Sequence, residues 1–394
     1  MFTLPKIEKI TRDTAITHFL LMFGYKVFAF YFPLFLIIKG FSLPQVGYTY
    51  LLIYLPLALS TYFVGLFNHR INPATLAAIG ISGYGIYALG MILIENPSLF
   101  YFWQVLLGIS AALFFVSARS ILIGSHLENP DRAFGWFYSA TYYADAFAPV
   151  VGAILIWKLS FSGVFIFSLV LQFFTAVFCY SQLKEKGGAL LEKGFNFRMY
   201  QENYKRAFEI IKRKTVLPFI FVSFSILLLA GLYRAFFVLF LKEELFWSQN
   251  FILIFTSVFS LLFLPLSLLV IKHLGKSRSE KNIFQGGIVN ALFSIVFGIT
   301  IPILSFLSVL TVNMGRSIGS LICNSGRSGL ISEKLKKYPE EAGAIDTIFS
   351  PLGGALGSFI AGLVIGFLGY GNTFIFGGIF VIIVACLSMI FVKK

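Results

Sequence analysis

The sequence predicts an all-α membrane protein whose twelve transmembrane helices form two pseudo-symmetric six-helix bundles. Three observations carry that prediction. The chain of 394 residues is 58% hydrophobic and only 12% charged, with a mean hydropathy of +0.86, whereas charged residues make up about a quarter of a globular chain. Its charges are bunched, which leaves apolar runs of roughly 20 residues, each long enough as a helix to cross about 30 Å of hydrocarbon. The chain also repeats itself: Ser117-Ala118-Arg119-Ser120-Ile121-Leu122-Ile123 returns 208 positions later as Ser325-Gly326-Arg327-Ser328-Gly329-Leu330-Ile331, and Phe165-Ile166-Phe167 returns as Phe374-Ile375-Phe376 at an offset of 209. The small-residue run Ala148–Ala153 lines up with Gly357–Gly362 at that same offset. Parallel repeats of this size in a membrane chain point to a site at the seam between them, near the bilayer midplane.

Spans 1 to 6 are read at Phe19–Ile38, Val46–Phe67, Ala74–Ile94, Leu99–Ile123, Phe134–Trp157 and Phe161–Tyr180. Spans 7 to 12 follow at Val216–Leu241, Phe251–Ile271, Ile283–Ile301, Leu304–Ile331, Ala342–Leu368 and Asn372–Val392. The chain is polar through Asp13, and the first run is too long, with no small-residue cleavage site after it, to be a signal peptide; it is expected to stay in the mature protein. Residues 1–183 are thus read as the first bundle, 184–215 as a cytoplasmic linker, and 216–394 as the second bundle. In the linker, Tyr200, Tyr204, Phe208 and Ile211 recur at helical spacing among Arg198, Lys205, Arg206 and Lys212, which predicts a basic amphipathic helix lying on the inner membrane face.

Lys and Arg in short loops are retained on the cytoplasmic side. With both termini inside, 23 of the 31 basic residues fall in inner segments, and only Lys39, Lys158 and Lys242 in outer loops. This predicts a multi-pass protein of a bacterial-type cell membrane with both termini cytoplasmic, and gives the net charge of +14 a cause in topology and anionic lipid rather than in nucleic acid. Cys179, Cys323 and Cys386 sit singly in apolar runs and the histidines show no metal-ligand spacing, so neither a disulfide framework nor a metal site is expected. Gly275-Lys276-Ser277 lacks the upstream glycine of a phosphate-binding loop, where Val270 stands, and no dinucleotide or Gly-x-Ser-x-Gly pattern occurs. The expectation is therefore no enzyme and no cofactor.

Two six-helix halves with a cytoplasmic linker resemble the major facilitator superfamily (MFS), over the whole chain. The loop after span 2, Gly65-Leu66-Phe67-Asn68-His69-Arg70, is similar to the family's G-x-x-x-D-R-x-G-R/K loop that locks the cytoplasmic side; it keeps Gly65 and Arg70 but has His69 for the acid, Asn72 for the second glycine and Pro73 for the next base. Span 5 carries Ala144-x-x-x-Ala148-Pro149-x-x-Gly152-Ala153, which looks like the family's G-x-x-x-G-P-x-x-G-G antiporter motif with alanines for most glycines. The resemblance implies a secondary transporter that alternates access by rocking one half against the other, with Arg70 at its gate.

Read for their own chemistry, Ala140, Ala144, Ala148 and Gly152 form a stripe that lets another helix approach closely, as do Gly353, Gly357 and Ala361 in span 11. Pro149 gives span 5 a place to bend. On an adjacent face Tyr138, Thr141, Tyr142 and Asp145 fall together, with Asp145 at the midpoint of the span. A carboxylate there costs roughly 2.5 kcal/mol or more unless it meets partner groups or water, which marks this face as the cavity wall. Lys26 in span 1, Arg234 in span 7 and Arg316 in span 10 share that depth, and one acid cannot neutralise three bases. In organophosphate antiporters of the family a basic pair on the first helix of each half grips the anion, so the resemblance implies a similar use of Lys26 and Arg234. The competing reading makes Lys26 and Asp145 a structural pair, with Arg234 reaching outward to Glu243 and Glu244.

Arg119 and Arg327 lie near the cytoplasmic ends of their spans in duplicated settings. They are read either as gate residues, pairing with Asp346 and an equivalent group in the other half, or as snorkelling to lipid phosphate. The expected protein is a monomeric carrier of a small organic anion with a coupling ion, embedded in the lipid bilayer and free of nucleic acid. Lys26, Arg234, Arg316 and Tyr142 are its candidate substrate ligands, Asp145 its proton-coupling group, and Arg70, Arg119, Arg327 and Asp346 its gate. Two alternatives are a proton-coupled exporter of hydrophobic compounds, suggested by the 18% aromatic content, and a non-transporting receptor or scaffold.

Overall fold

The structure is a computed structural model that describes residues 5–29, 31–40, 43–94, 97–188 and 197–393. In the first half, span 1 is built from α1 (Lys9–Ala29) and α2 (Phe32–Ile38), and spans 2 to 4 are α3 (Leu43–Asn68), α4 (Pro73–Ile92) and α5 (Pro97–Gly124). Spans 5 and 6 are one long element, α6 (Pro130–Gly188), and the linker helix is α7 (Phe197–Ile211). The second half runs α8 (Leu217–Glu243), α9 (Gln249–Leu274), α10 (Ser279–Ile299), α11 (Phe306–Lys334) and α12 (Pro339–Lys393), the last again holding two spans.

The two long elements show why the chain must turn. At about 1.5 Å per residue, an unbroken helix of 59 residues such as α6 would be near 90 Å long, three bilayer cores. The break falls at Ser160, where φ is 60° and ψ −177°, and in the 55-residue α12 it falls at Gly369, with φ 72° and ψ 171°. These residues are 209 positions apart, the offset of the sequence repeat, so the duplication is written into the backbone as well. Both sit in the exposed connections on the face opposite the termini.

Packing obeys the same symmetry. Within the halves, α1 packs on α6 as α8 packs on α12, α4 on α5 as α10 on α11, and α3 on α5 as α9 on α11. Across the seam, α3 and α5 meet α12 as α9 and α11 meet α6. The small-residue stripes are used as expected: a Cβ on Gly152 would collide with the backbone carbonyl of Val27, and one on Gly357 with that of Leu228. Each therefore seats the first helix of its half against the fifth. Phe173, Phe359, Leu363 and Phe367 are among the large apolar side chains left on the outside, each more than half exposed, as a lipid-facing surface requires.

The linker helix differs from its expectation in one respect. Tyr200, Tyr204 and Ile211 point into the protein and only Phe208 of the four singled-out residues is exposed, with Arg198, Lys205 and Arg206 on the outer face. The Tyr200 hydroxyl donates to the Tyr62 carbonyl at 2.7 Å, and its ring stands edge-on to His69 at 5.3 Å. The tyrosines bind protein because the Tyr200 hydroxyl finds a carbonyl partner in α3 that lipid does not offer, and the Tyr204 ring packs on Tyr62 and Tyr200. Residues 189–196 of the predicted linker lie outside the described residues.

Candidate functional site

Halfway along the first part of α6, Phe137, Thr141 and Asp145 recur every four residues and so present one face to α1. There the Lys26 ammonium donates to Asp145 at 2.5 Å and lies 3.4 Å from the Thr141 carbonyl. The Lys26 side chain is 17% exposed and that of Asp145 36%, so the pair is not fully enclosed by protein. One helical turn nearer the termini, the buried His18 ring stacks on Phe137 at 4.3 Å, with Nδ1 2.8 Å from the Phe137 carbonyl and Nε2 3.3 Å from the Thr141 hydroxyl. Because a carbonyl only accepts, Nδ1 carries a proton that it donates to Phe137. Lys26, Asp145, Thr141 and His18 thus form one polar seam between the first and fifth spans.

Arg316 of α11 faces the same region from the other half. Its guanidinium lies 3.0 Å from the Tyr233 ring centroid and donates to Asn313 at 2.7 Å, while Asn290 holds the Arg316 carbonyl at 2.9 Å. No carboxylate among the described residues makes a salt bridge with it, and its Nε is buried without a partner. Arg234 is exposed along α8, lies over Gly354, and donates across the seam to the Tyr54 hydroxyl at 2.6 Å. It does not turn to Glu243, whose carboxylate takes the Tyr370 hydroxyl at 2.7 Å. Tyr142 packs on Phe263 of α9 at 4.4 Å, and its hydroxyl is within electrostatic reach of Asp145, Arg316 and Arg234. The structure therefore brings Lys26, Asp145, Tyr142, Arg234 and Arg316 together at the seam between the halves, with Lys26 paired to Asp145.

Nearer the termini the halves are joined. Asp346, fully buried, accepts from Arg327 Nε at 2.9 Å and forms an ion pair with Arg119, whose Nε lies 3.0 Å away, one guanidinium from each half. The Tyr138 hydroxyl sits between the same guanidiniums, 3.2 Å from Arg327 and 3.4 Å from Arg119, and bonds Ser328 at 2.7 Å. Along α6 and α12 the repeat offset is 209, so the position equivalent to Asp346 is Phe137, whose ring centroid lies 5.6 Å from the Arg119 guanidinium, and Tyr138 corresponds to Thr347, which receives Arg119 as Tyr138 receives Arg327. On either side are two more cross-half contacts. His69, after α3, bonds Glu341 at the start of α12 at 3.0 Å, and Asp131 at the start of α6 accepts from Ser279 and Asn282 of α10. Arg70 is exposed at the turn, and its neighbour His69 makes the crossing.

Sequence reasoning did not single out His18, Tyr54, Tyr233, Asn313, Glu340 or Glu341. It placed Tyr138 on the cavity wall, and the structure sets its hydroxyl between the Arg119 and Arg327 guanidiniums.

Two parallel six-span repeats wrapped around a charged seam define a class, the twelve-span membrane proteins whose halves meet on a pseudo-twofold axis. The chain belongs to the Major Facilitator Superfamily, whose family model matches residues 14–344. No curated protein matches it. Among solved structures, the human organic anion transporter MFSD10 (TETRAN) superposes with a TM-score of 0.70 at 12% identity, covering 96% of this chain and 99% of that one. A bacterial homologue of the iron transporter ferroportin, in an outward-facing state, reaches 0.65 at 16% identity over 98% of both chains. The proton:xylose symporter XylE reaches 0.66 at 13% identity, over 98% and 95%. At such identities the likeness shows the fold.

Proposed function

We propose that the protein is a secondary active transporter of small organic anions, working by rocking its halves about the inter-half space. The observation that carries this reading is Arg316. A guanidinium held at mid-depth by an aromatic face and one amide, with a buried Nε unpartnered and no carboxylate partner among the described residues, is a costly arrangement for a resting protein and a ready-made one for a carboxylate or phosphate ligand. Arg234 on the same space adds a second positive group, and Tyr142 and Tyr54 add hydroxyls. Asp145 is paired with Lys26, so a proton taken up by the carboxylate would loosen that contact, a coupling step linked to movement of the halves. A hydrophobic cation would meet two surplus positive charges, which disfavours drug efflux.

Uptake into proteoliposomes, with a panel of dicarboxylates, organophosphates, sugars and lipophilic dyes, tests the proposal. Accumulation of one anion class is expected, with Arg316→Met abolishing binding and Arg316→Lys, which cannot fork to a planar anion, retaining a small part of it. Uptake of neutral sugars or cationic dyes with normal activity in Arg316→Met would refute it.

A further inference from the structure

The contact between His69 and Glu341 has a third member. One ligand atom each from His69, Glu340 and Glu341 lies within 4.8 Å of the others, and the residues are 2%, 4% and 0% exposed. Two adjacent carboxylates are thus buried against an imidazole, and Glu341 Oε2 is buried with no hydrogen-bond partner. Burying two carboxylates side by side is expensive, most of all where an oxygen such as Glu341 Oε2 makes no hydrogen bond. A cation of charge two, set among these atoms, would offset that cost.

We propose that His69, Glu340 and Glu341 form a divalent transition-metal site that spans the two halves. The donor set is one ring nitrogen and two carboxylates with no thiolate, which suits Zn²⁺, Mn²⁺ or Fe²⁺ better than soft Cu⁺, and better than Mg²⁺, which takes oxygen. Two carboxylates balance the ion's charge, and three protein ligands leave a position for water. The elements present the donors stiffly: the glutamates lie in the first turn of α12, and His69 is held in the turn after α3, with the Tyr200 ring edge-on to it at 5.3 Å. Because the imidazole comes from one half and the carboxylates from the other, the complete site exists only while this end of the seam is shut. A bound ion therefore favours the shut state by mass action, independently of what the mid-depth arginines carry.

The test uses tag-free full-length protein in nanodiscs, stripped with chelator and titrated by calorimetry with Zn²⁺ alone and Mn²⁺ alone. X-ray absorption is then recorded on the Zn²⁺-loaded wild type. One equivalent is expected, in a nitrogen and oxygen shell containing a single imidazole and no sulfur. His69→Ala and Glu341→Gln should weaken binding by more than the roughly tenfold that even an outer-layer partner of a ligand is worth. No binding by the wild type, a shell with sulfur or several imidazoles, or wild-type affinity in both variants would overturn the site. The absorption result stands on the wild type alone, so it decides the matter even if a variant folds poorly, and none of these readings depends on transport.

Discussion

At the scale of single residues, Lys26 and Asp145 separate a structural role from a coupling role. Asp145→Asn leaves a largely buried ammonium without its partner, and the loss is expected to be about 2 kcal/mol, below that of a fully enclosed pair because Asp145 is 36% exposed. Lys26→Met added to Asp145→Asn should recover most of that stability, measured as the thermal inactivation midpoint. If Asp145 carries the coupled proton, the double variant recovers stability and solute exchange but not gradient-driven accumulation. Recovery of accumulation as well would remove Asp145 from coupling and Lys26 from anion binding. Lys26, Asp145, Arg234 and Arg316 were legible in the sequence because charges at mid-span are rare enough to stand out. The Lys26–Asp145 pair was one of the readings the sequence offered, and the structure makes that contact; what surrounds Arg316 was not legible, since it depends on how the helices rotate. Lys26 lies 119 positions from Asp145, whereas Arg316 finds only an asparagine three residues away and an aromatic ring.

At the scale of elements, the breaks in α6 and α12 are the same structural solution made with different residues. Ser160 is held at φ 60° and ψ −177°, a region essentially reserved for glycine, at a cost on the order of 1–3 kcal/mol. Ser160→Gly should therefore raise the thermal midpoint, by the equivalent of about 1 kcal/mol. Gly369→Ala, which places a side chain at φ 72°, should lower it by a similar amount. Scanning both variants for thermal inactivation checks the pair, and two neutral results would mean that these exposed connections relax freely. Both connections fall in gaps between apolar runs; the second also holds Gly366, Gly369 and Gly371, whereas Leu159-Ser160-Phe161 in the first carries no such turn signal. The linker helix shows the converse: its amphipathic period was plain in the sequence, but whether the apolar face would meet lipid or protein depended on Tyr62 and His69 being brought beneath it.

At the scale of the whole molecule, the halves are held together near the termini by one carboxylate serving two guanidiniums. Asp346→Asn would leave Arg119 and Arg327 facing each other across the seam with only Tyr138 between, a buried like-charge contact that opening relieves. With spin labels at the exposed positions 128 and 336, one on each half, that variant is expected to shift the inter-half distance distribution toward longer values. Tyr138→Phe, which removes a hydroxyl and no charge, should shift it less. Unchanged distributions in Asp346→Asn would mean that the quartet is packing rather than a gate.

The sequence by itself determined that the protein spans a membrane, that it is a parallel duplication, and where each span lies. Hydropathy and repetition are local properties and survive in one dimension. It also marked Arg119 and Arg327 as a related pair through their repeated surroundings. Only the tertiary structure decided that both converge on Asp346, that the ring of Phe137 stands against Arg119 where a second acid would be, and that His69 meets Glu341 from 272 positions away. Those contacts join side chains on different helices from different halves, and their geometry is set by the packing of small-residue faces about the pseudo-twofold axis, which no spacing along the chain encodes.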